Sequence, residues 1–178
     1  MSRKYSTAQK LLHWATVLLL VSQWWTSRAV LRSHEMHGLI HKIDPFDLVL
    51  HKLHIYGGML ILALVATRLA LRFRIGVPPL PVTVPRWSAQ SAKVAYILIY
   101  ATLIGLTLTG LVTSYLWFGM AIAHQALVYG LYALITLHVS AVIWHDTSHR
   151  TGLLRRMTPS PPLTAVAKKA NAASAPPR

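Results

Sequence analysis

The sequence has no cysteine at any of its 178 positions. Disulfides, thiolate-bound iron–sulfur clusters and thiolate ligation of haem are therefore excluded. Carboxylates are nearly as scarce: Glu35, Asp44, Asp47 and Asp146 make up the whole acidic complement. Charged residues total 12%, about half of the roughly 25% usual in a soluble domain. A carboxylate-rich metal site has too few donors, so a bound metal needs another. Histidine, with ten copies, is the abundant candidate.

Four long apolar runs stand out, at 11–25, 55–71, 94–118 and 121–144. Each approaches or exceeds the about 18–20 residues that cross a bilayer as a helix. The fold expected is all-α, a four-helix transmembrane bundle, in a domain covering 1–157. The Pro/Ala-rich tail, 158–178, is expected to be disordered. The basic start "MSRKYSTAQKLLHW" resembles a signal peptide, but His13, Trp24 and Trp25 and the lack of a small-x-small site favour a retained first span. Helices are expected over about 7–27, 48–72, 92–116 and 120–145. Asp44-Pro45 reads as a turn or helix start, and four prolines between 78 and 85 break the chain before the third helix.

The net charge of +14 fits membrane topology better than nucleic-acid binding. With four spans both termini share a side. That side collects Arg3, Lys4, Lys10, Arg68, Arg72, Arg74, Arg86, Lys93, Arg150, Arg155, Arg156, Lys168, Lys169 and Arg178. The opposite side has Arg28, Arg32, Lys42 and Lys52, with Glu35, Asp44 and Asp47 among them. The positive-inside rule then places both termini in the cytoplasm.

Ionisable residues inside spans are rare and costly. A buried histidine can simply be satisfied by an interhelical hydrogen bond, so the pattern matters more than any one ring. His124 and His138 lie fourteen residues apart on the fourth run. That is nearly four turns, so both leave one helix face about 21 Å apart, one near each edge of a hydrocarbon layer about 30 Å thick. His13 falls at the depth of His138 and His54 at the depth of His124. Two trans-bundle histidine pairs with no intramembrane carboxylate match bis-histidine haem ligation, whereas zinc usually takes four ligands. Arg68 is again fourteen residues after His54, at the depth of the inner pair. There it either pairs with haem propionates or snorkels to the headgroups. Gly57, Gly58, Gly105 and Gly110 admit either a flat macrocycle or close helix packing. His51, three residues before His54, is its rival for the outer site. His34, His37 and His41 read as solvated loop residues. His145 and His149 suit a helix C-terminus, or contact with propionates or a quinone headgroup.

These segments resemble the bacterial cytochrome b561 family, which is related to the cytochrome b subunits of membrane hydrogenases and formate dehydrogenases. The likeness covers about 5–157. It rests on "LLHW", on "HIYGGMLILALVATRLALR", on "YILIYATLIGLTLTG" and on "HQALVYGLYALITLH" followed by "TGLLRRM". The resemblance implies two haem b groups and electron exchange with membrane quinone. His13 and His138 would ligate the cytoplasmic-side haem, and His54 and His124 the outer one. Tyr96 stands where the family commonly has His, and Thr107 where Pro is usual. The function expected is electron transfer across the bacterial inner membrane, between a donor at the outer face and the quinone pool. Some family members oxidise superoxide, an anion that the cations near the outer haem would steer. Glu35, Asp44 and Asp47 reduce that local charge to about +1. The alternatives are an anchor subunit linking quinone to a periplasmic redox protein, and a haem-free bundle whose histidines bind a metal ion.

Overall fold

The computed structural model describes residues 5–38, 44–78, 84–148 and 151–158. Among them there is helix and no strand: α1 (Thr7–Gly38), α2 (Pro45–Ile75), α3 (Arg86–Tyr115), a 3₁₀ turn (Phe118–Met120), α4 (Ala121–Ser148) and a short α5 (Leu153–Met157). Several helix ends rest on identifiable local chemistry. Ser6 and Gln9 form a reciprocal capping box before α1, Ser6 N donating to Gln9 Oε1 at 3.0 Å and Gln9 N to Ser6 Oγ at 3.2 Å. Asp44 caps α2 by accepting from Phe46 N at 2.8 Å, with Pro45 in the first turn. Gly76, at φ 79°, closes α2 by donating its N–H to Arg72 O. α3 starts directly after Pro85.

Two boundaries differ from the expectation. α1 runs on to Gly38 although its apolar run stops near Trp25, so the backbone of His34 and His37 is helical rather than looped. α3 begins at Arg86 and not near Ala92. Both differences have one cause: apolar periodicity marks what lipid or core covers, while backbone hydrogen bonding continues into polar turns until a proline or glycine stops it. α5 was not expected. It follows Gly152, which adopts the left-handed conformation at φ 65°. Of the expected disordered tail only Thr158 is described, and 159–178 lie outside the described residues.

The main packing runs α1 on α2, α2 on α3 and α3 on α4. Short connections force these neighbours to be antiparallel. The start of α1 therefore meets the end of α2, where Gln9 Nε2 donates to Gly76 O at 3.1 Å. The start of α3 meets the end of α4, where Ser88 Oγ lies 2.7 Å from His145 Nε2. α5 folds onto the start of α1: Lys10 Nζ donates to Thr158 O and Trp14 Nε1 to Met157 O, each at 2.9 Å. This is the terminal end of the bundle. At the far end an Arg32–Asp47 ion pair, bidentate at 2.5 and 2.8 Å, ties α1 to α2.

Ile61, Val65, Leu103, Leu106 and Leu131 form a small core contributed by α2, α3 and α4. Most other large apolar side chains face outward, with Leu18 70%, Phe73 80% and Ile122 81% exposed. Helices apolar on all sides belong in lipid. Three of them, over Pro45–Ile75, Arg86–Tyr115 and Phe118–Ser148, are long and apolar enough to cross a membrane. α1 is as long, at 32 residues, but His13, Thr16, Ser22, Gln23 and Thr26 dilute its apolar run. The threonines inside the bundle satisfy their hydroxyls locally, as Thr16 does on Leu12 O, Thr107 on Ile104 O and Thr113 on Thr109 O.

Candidate functional site

Sequential packing of α1 to α4 leaves a long cavity of about 2250 Å³ with mostly apolar walls. That is more than twice the roughly 300–1,000 Å³ of a pocket for one small ligand. His13, His54, His124, His138, His51 and Arg68 all line it. The helices bring these rings into two groups. At the terminal end, His13 from α1, Arg68 from α2 and His138 from α4 lie within electrostatic reach of one another. At the far end, His54 and His51 from α2 and His124 from α4 do the same. His34 and His37 have no described side chains, and His41 and His149 lie outside the described residues.

Hydrogen bonding fixes which nitrogen each far-end ring offers. His124 Nδ1 lies 3.0 Å from Leu106 O. A carbonyl only accepts, so Nδ1 carries the proton and Nε2 keeps its lone pair. Thr109 Oγ1, itself donating to Gly105 O, sits 3.2 Å from the same nitrogen. His54 Nδ1 lies 3.1 Å from Thr26 Oγ1. The Thr26 hydroxyl proton is already committed to the carbonyls of Ser22 and Gln23, so Thr26 accepts from His54 and its Nε2 is again the basic nitrogen. A protonated Nδ1 held by an oxygen is the second-shell arrangement of metal-ligating histidines. The terminal end is different. Arg68 Nη2 points at His13 Nδ1 from 3.3 Å, and arginine has no acceptor. That contact places the His13 proton on Nε2, and ligation through Nε2 requires Arg68 to take another partner.

Two glycines shape the far-end group. A Cβ at Gly110 would stand 3.1 Å from His124 Cε1 and 3.4 Å from its Nδ1, so the imidazole rests on bare backbone. A Cβ at Gly57 would overlap the amide of Gln23, whose Nε2 is buried without a hydrogen-bond partner. A buried donor without a partner on a cavity wall asks for one from a ligand. Among the described residues no group of three or more His, Asp or Glu is placed to hold a bare metal ion. The histidines fall instead into two groups, one toward each end of the cavity.

Sequence over residues 4–160 matches the family described as prokaryotic cytochrome b561. The chain belongs to that family. It is similar to cytochrome b561 homolog 1 of Escherichia coli (strain K12), at 23% identity over 88% of this chain and 97% of the relative. It is also similar to a protein of Yersinia pestis named probable superoxide oxidase, at 27% identity over 89% of this chain and 98% of the relative. This cytochrome b561 is thus a membrane cytochrome, with the haem b and electron transport that the family implies. The residues present fit such a group: imidazoles at both ends of the cavity, those of His54 and His124 with Nε2 available, room for a macrocycle, an unpartnered amide and an arginine.

Tyr96 and Thr107, the two positions expected to depart from the family pattern, both have identifiable neighbours in the fold. Tyr96 lies under the Arg72 guanidinium at 5.0 Å and, with Tyr5 close to it, lines the cavity. Burial pushes the Tyr5 hydroxyl up to about 12, with Tyr96 adding to the effect and Arg72 and Arg156 opposing it. Thr107 keeps α3 continuous where a proline would interrupt it. Thr26, Gln23 and Thr109 were not singled out from the sequence. Thirteen residues after His13 is about 3.6 turns, so Thr26 leaves a different face of α1 and the spacing that groups the histidines gave no signal for it.

Proposed function

We propose that the chain is a di-haem b-type cytochrome of the bacterial inner membrane, a four-span bundle with both termini in the cytoplasm. It carries electrons between a donor at the outer face and the quinone pool. The observation that carries this reading is that one apolar cavity is lined by two groups of histidines, His13 and His138 toward one end and His54, His51 and His124 toward the other. Each group would hold one haem, which when bound supplies a one-electron couple. His54 and His124 would offer Nε2, held in orientation by Thr26, Leu106 O and Thr109. Arg68 would leave His13 to pair with propionate, which is a stronger partner than a neutral imidazole. His54 is preferred to His51 because it is the ring that Thr26 orients. The excess of Lys and Arg at the terminal end supports the cytoplasmic assignment.

Superoxide is the donor this reading favours, supported by the likeness to the Yersinia pestis protein and by Arg28 and Lys52 at the far end. Two superoxide ions would each give up one electron to become oxygen, and one quinone would take both electrons and two protons to become quinol. The test is purified protein in quinone-containing liposomes, supplied with enzymatically generated superoxide. Quinol formation that His54→Ala and His13→Ala each abolish supports the assignment. If haem is reduced by a periplasmic redox protein and superoxide leaves the quinone untouched, the chain is an electron-linking subunit instead.

A further inference from the structure

Apart from the histidine groups, four polar side chains from four separate segments meet at the terminal end of the bundle. Tyr5 stands before α1, Arg72 lies in the last turn of α2, Tyr96 lies on α3 and Arg156 on α5. All four are half-buried and line the cavity, and Arg72, Tyr96 and Arg156 each lie within electrostatic reach of Tyr5. An arginine in the last turn of a spanning helix ordinarily snorkels outward to the headgroups, and Arg74 is exposed in that way. Arg72 instead lies over the Tyr96 ring, 5.0 Å from its centre. Two guanidiniums thus share a wall on which, among the described residues, no Asp or Glu lies. Asp146, the described acid of this end, is outside the lining.

A cleft lined by charge of one sign draws the opposite charge, and guanidinium forks match the oxygens of a phosphate. The Tyr5 hydroxyl, pushed up to about 12 chiefly by burial, keeps its proton and can donate it in a hydrogen bond. A basic pocket between spanning helices at headgroup level is where an acidic lipid headgroup binds. The surroundings suit the rest of a lipid: Phe73 on α2, Val94 and Ile97 on α3 and Leu154 on α5 are apolar and exposed. We infer that Tyr5, Arg72, Tyr96 and Arg156 form a binding site for the phosphate of an anionic phospholipid, whose acyl chains lie along the exposed apolar sides of α2 and α3. A zwitterionic lipid would bring its own ammonium against two guanidiniums, so the site discriminates by headgroup charge. A quinone headgroup is neutral and gains little from two fixed cations. The site is the same whether the cavity takes one haem or two.

Native mass spectrometry of the haem-loaded protein tests this. The protein is stripped of lipid in a non-ionic detergent and titrated with phosphatidylglycerol or with phosphatidylcholine, and bound lipid is counted. A saturable phosphatidylglycerol site is expected, about tenfold tighter than any for phosphatidylcholine. Arg72→Gln removes a charge-assisted contact and should weaken it about tenfold. Arg72→Lys should restore part of the loss, since the charge survives without the fork. Arg74→Gln, two residues on and exposed, should leave binding unchanged. Equal affinity for the two lipids overturns the inference, as does an undiminished site in Arg72→Gln. An equal loss in Arg72→Gln and Arg74→Gln overturns it too, being the signature of diffuse surface charge. Inorganic phosphate or a ubiquinone that displaces phosphatidylglycerol at equal concentration moves the site to that ligand and overturns the lipid assignment. Haem per chain is measured on every variant, and an Arg72→Gln protein that loses haem with lipid binding intact assigns the arginine to the haem instead. Should Arg72→Gln fail to accumulate, Arg156→Gln compared with Arg155→Gln, its exposed neighbour, decides in the same way.

Discussion

Substituting Gly110 probes the far-end site from behind, without touching a candidate ligand. A methyl group there would lie 3.1 Å from His124 Cε1 and 3.4 Å from Nδ1, inside the about 3.5–4.0 Å of relaxed carbon contact. The ring must retreat by a few tenths of an ångström. Its Nδ1–H is held by Leu106 O at 3.0 Å, with Thr109 Oγ1 at 3.2 Å, and that retreat takes the first bond beyond good geometry. A hydrogen bond of this kind contributes about 0.5–1.5 kcal/mol, so Gly110→Ala should weaken far-end haem retention by roughly two- to tenfold. Gly110→Val, which is also β-branched and bulkier, should lose more. The assay is haem per chain by alkaline pyridine spectrum after washing with a haem scavenger, paired with a redox titration to say which component is lost. Gly130→Ala, with open space around the added carbon, is the control and should retain both. Full retention of both components in Gly110→Val, or selective loss of the terminal-end one, would refute the placement of His124 against this glycine.

The Gly57→Ala methyl should displace the Gln23 amide and disturb the far-end spectrum, and Gln23→Ala in the same chain should relieve part of that defect; additive defects in the double variant count against the contact. His51→Ala should keep two haems per chain whereas His54→Ala keeps one, and the opposite result would move the ligand to His51. Ser6→Ala removes one half of the capping box at the start of α1 and should destabilise the detergent-solubilised protein by about 0.5–2 kcal/mol, read from urea or thermal unfolding of the holoprotein, with its absorbance spectrum unchanged.

Much of the helical order was legible because apolar runs long enough for a bilayer leave few alternatives, and Asp44-Pro45 and the proline cluster marked the breaks. Helix ends were less legible. α1 continues past Trp25 and α3 starts at Arg86, since polar turns carry no hydrophobic signature yet still bond backbone to backbone. The histidine grouping followed from one spacing of fourteen residues on a helix, which the antiparallel packing of α4 against its neighbours preserves. What spacing does not convey is the chemistry around each ring. That Thr26 accepts from His54 depends on its own proton being committed to Ser22 and Gln23, a relation visible only in three dimensions. The Arg68 contact to His13 is of the same kind: depth places the two side by side, but only geometry shows the guanidinium on Nδ1.

The central claim is that this chain binds two haem b groups through two histidine pairs. Haem and protein quantified together in the purified chain, with a dithionite-reduced minus oxidised spectrum, measure it directly. Two b-type haems per chain, falling to one in each of His13→Ala, His54→Ala, His124→Ala and His138→Ala, is the result predicted. One haem per chain in the parent protein, or two retained in any of those four variants, would contradict it.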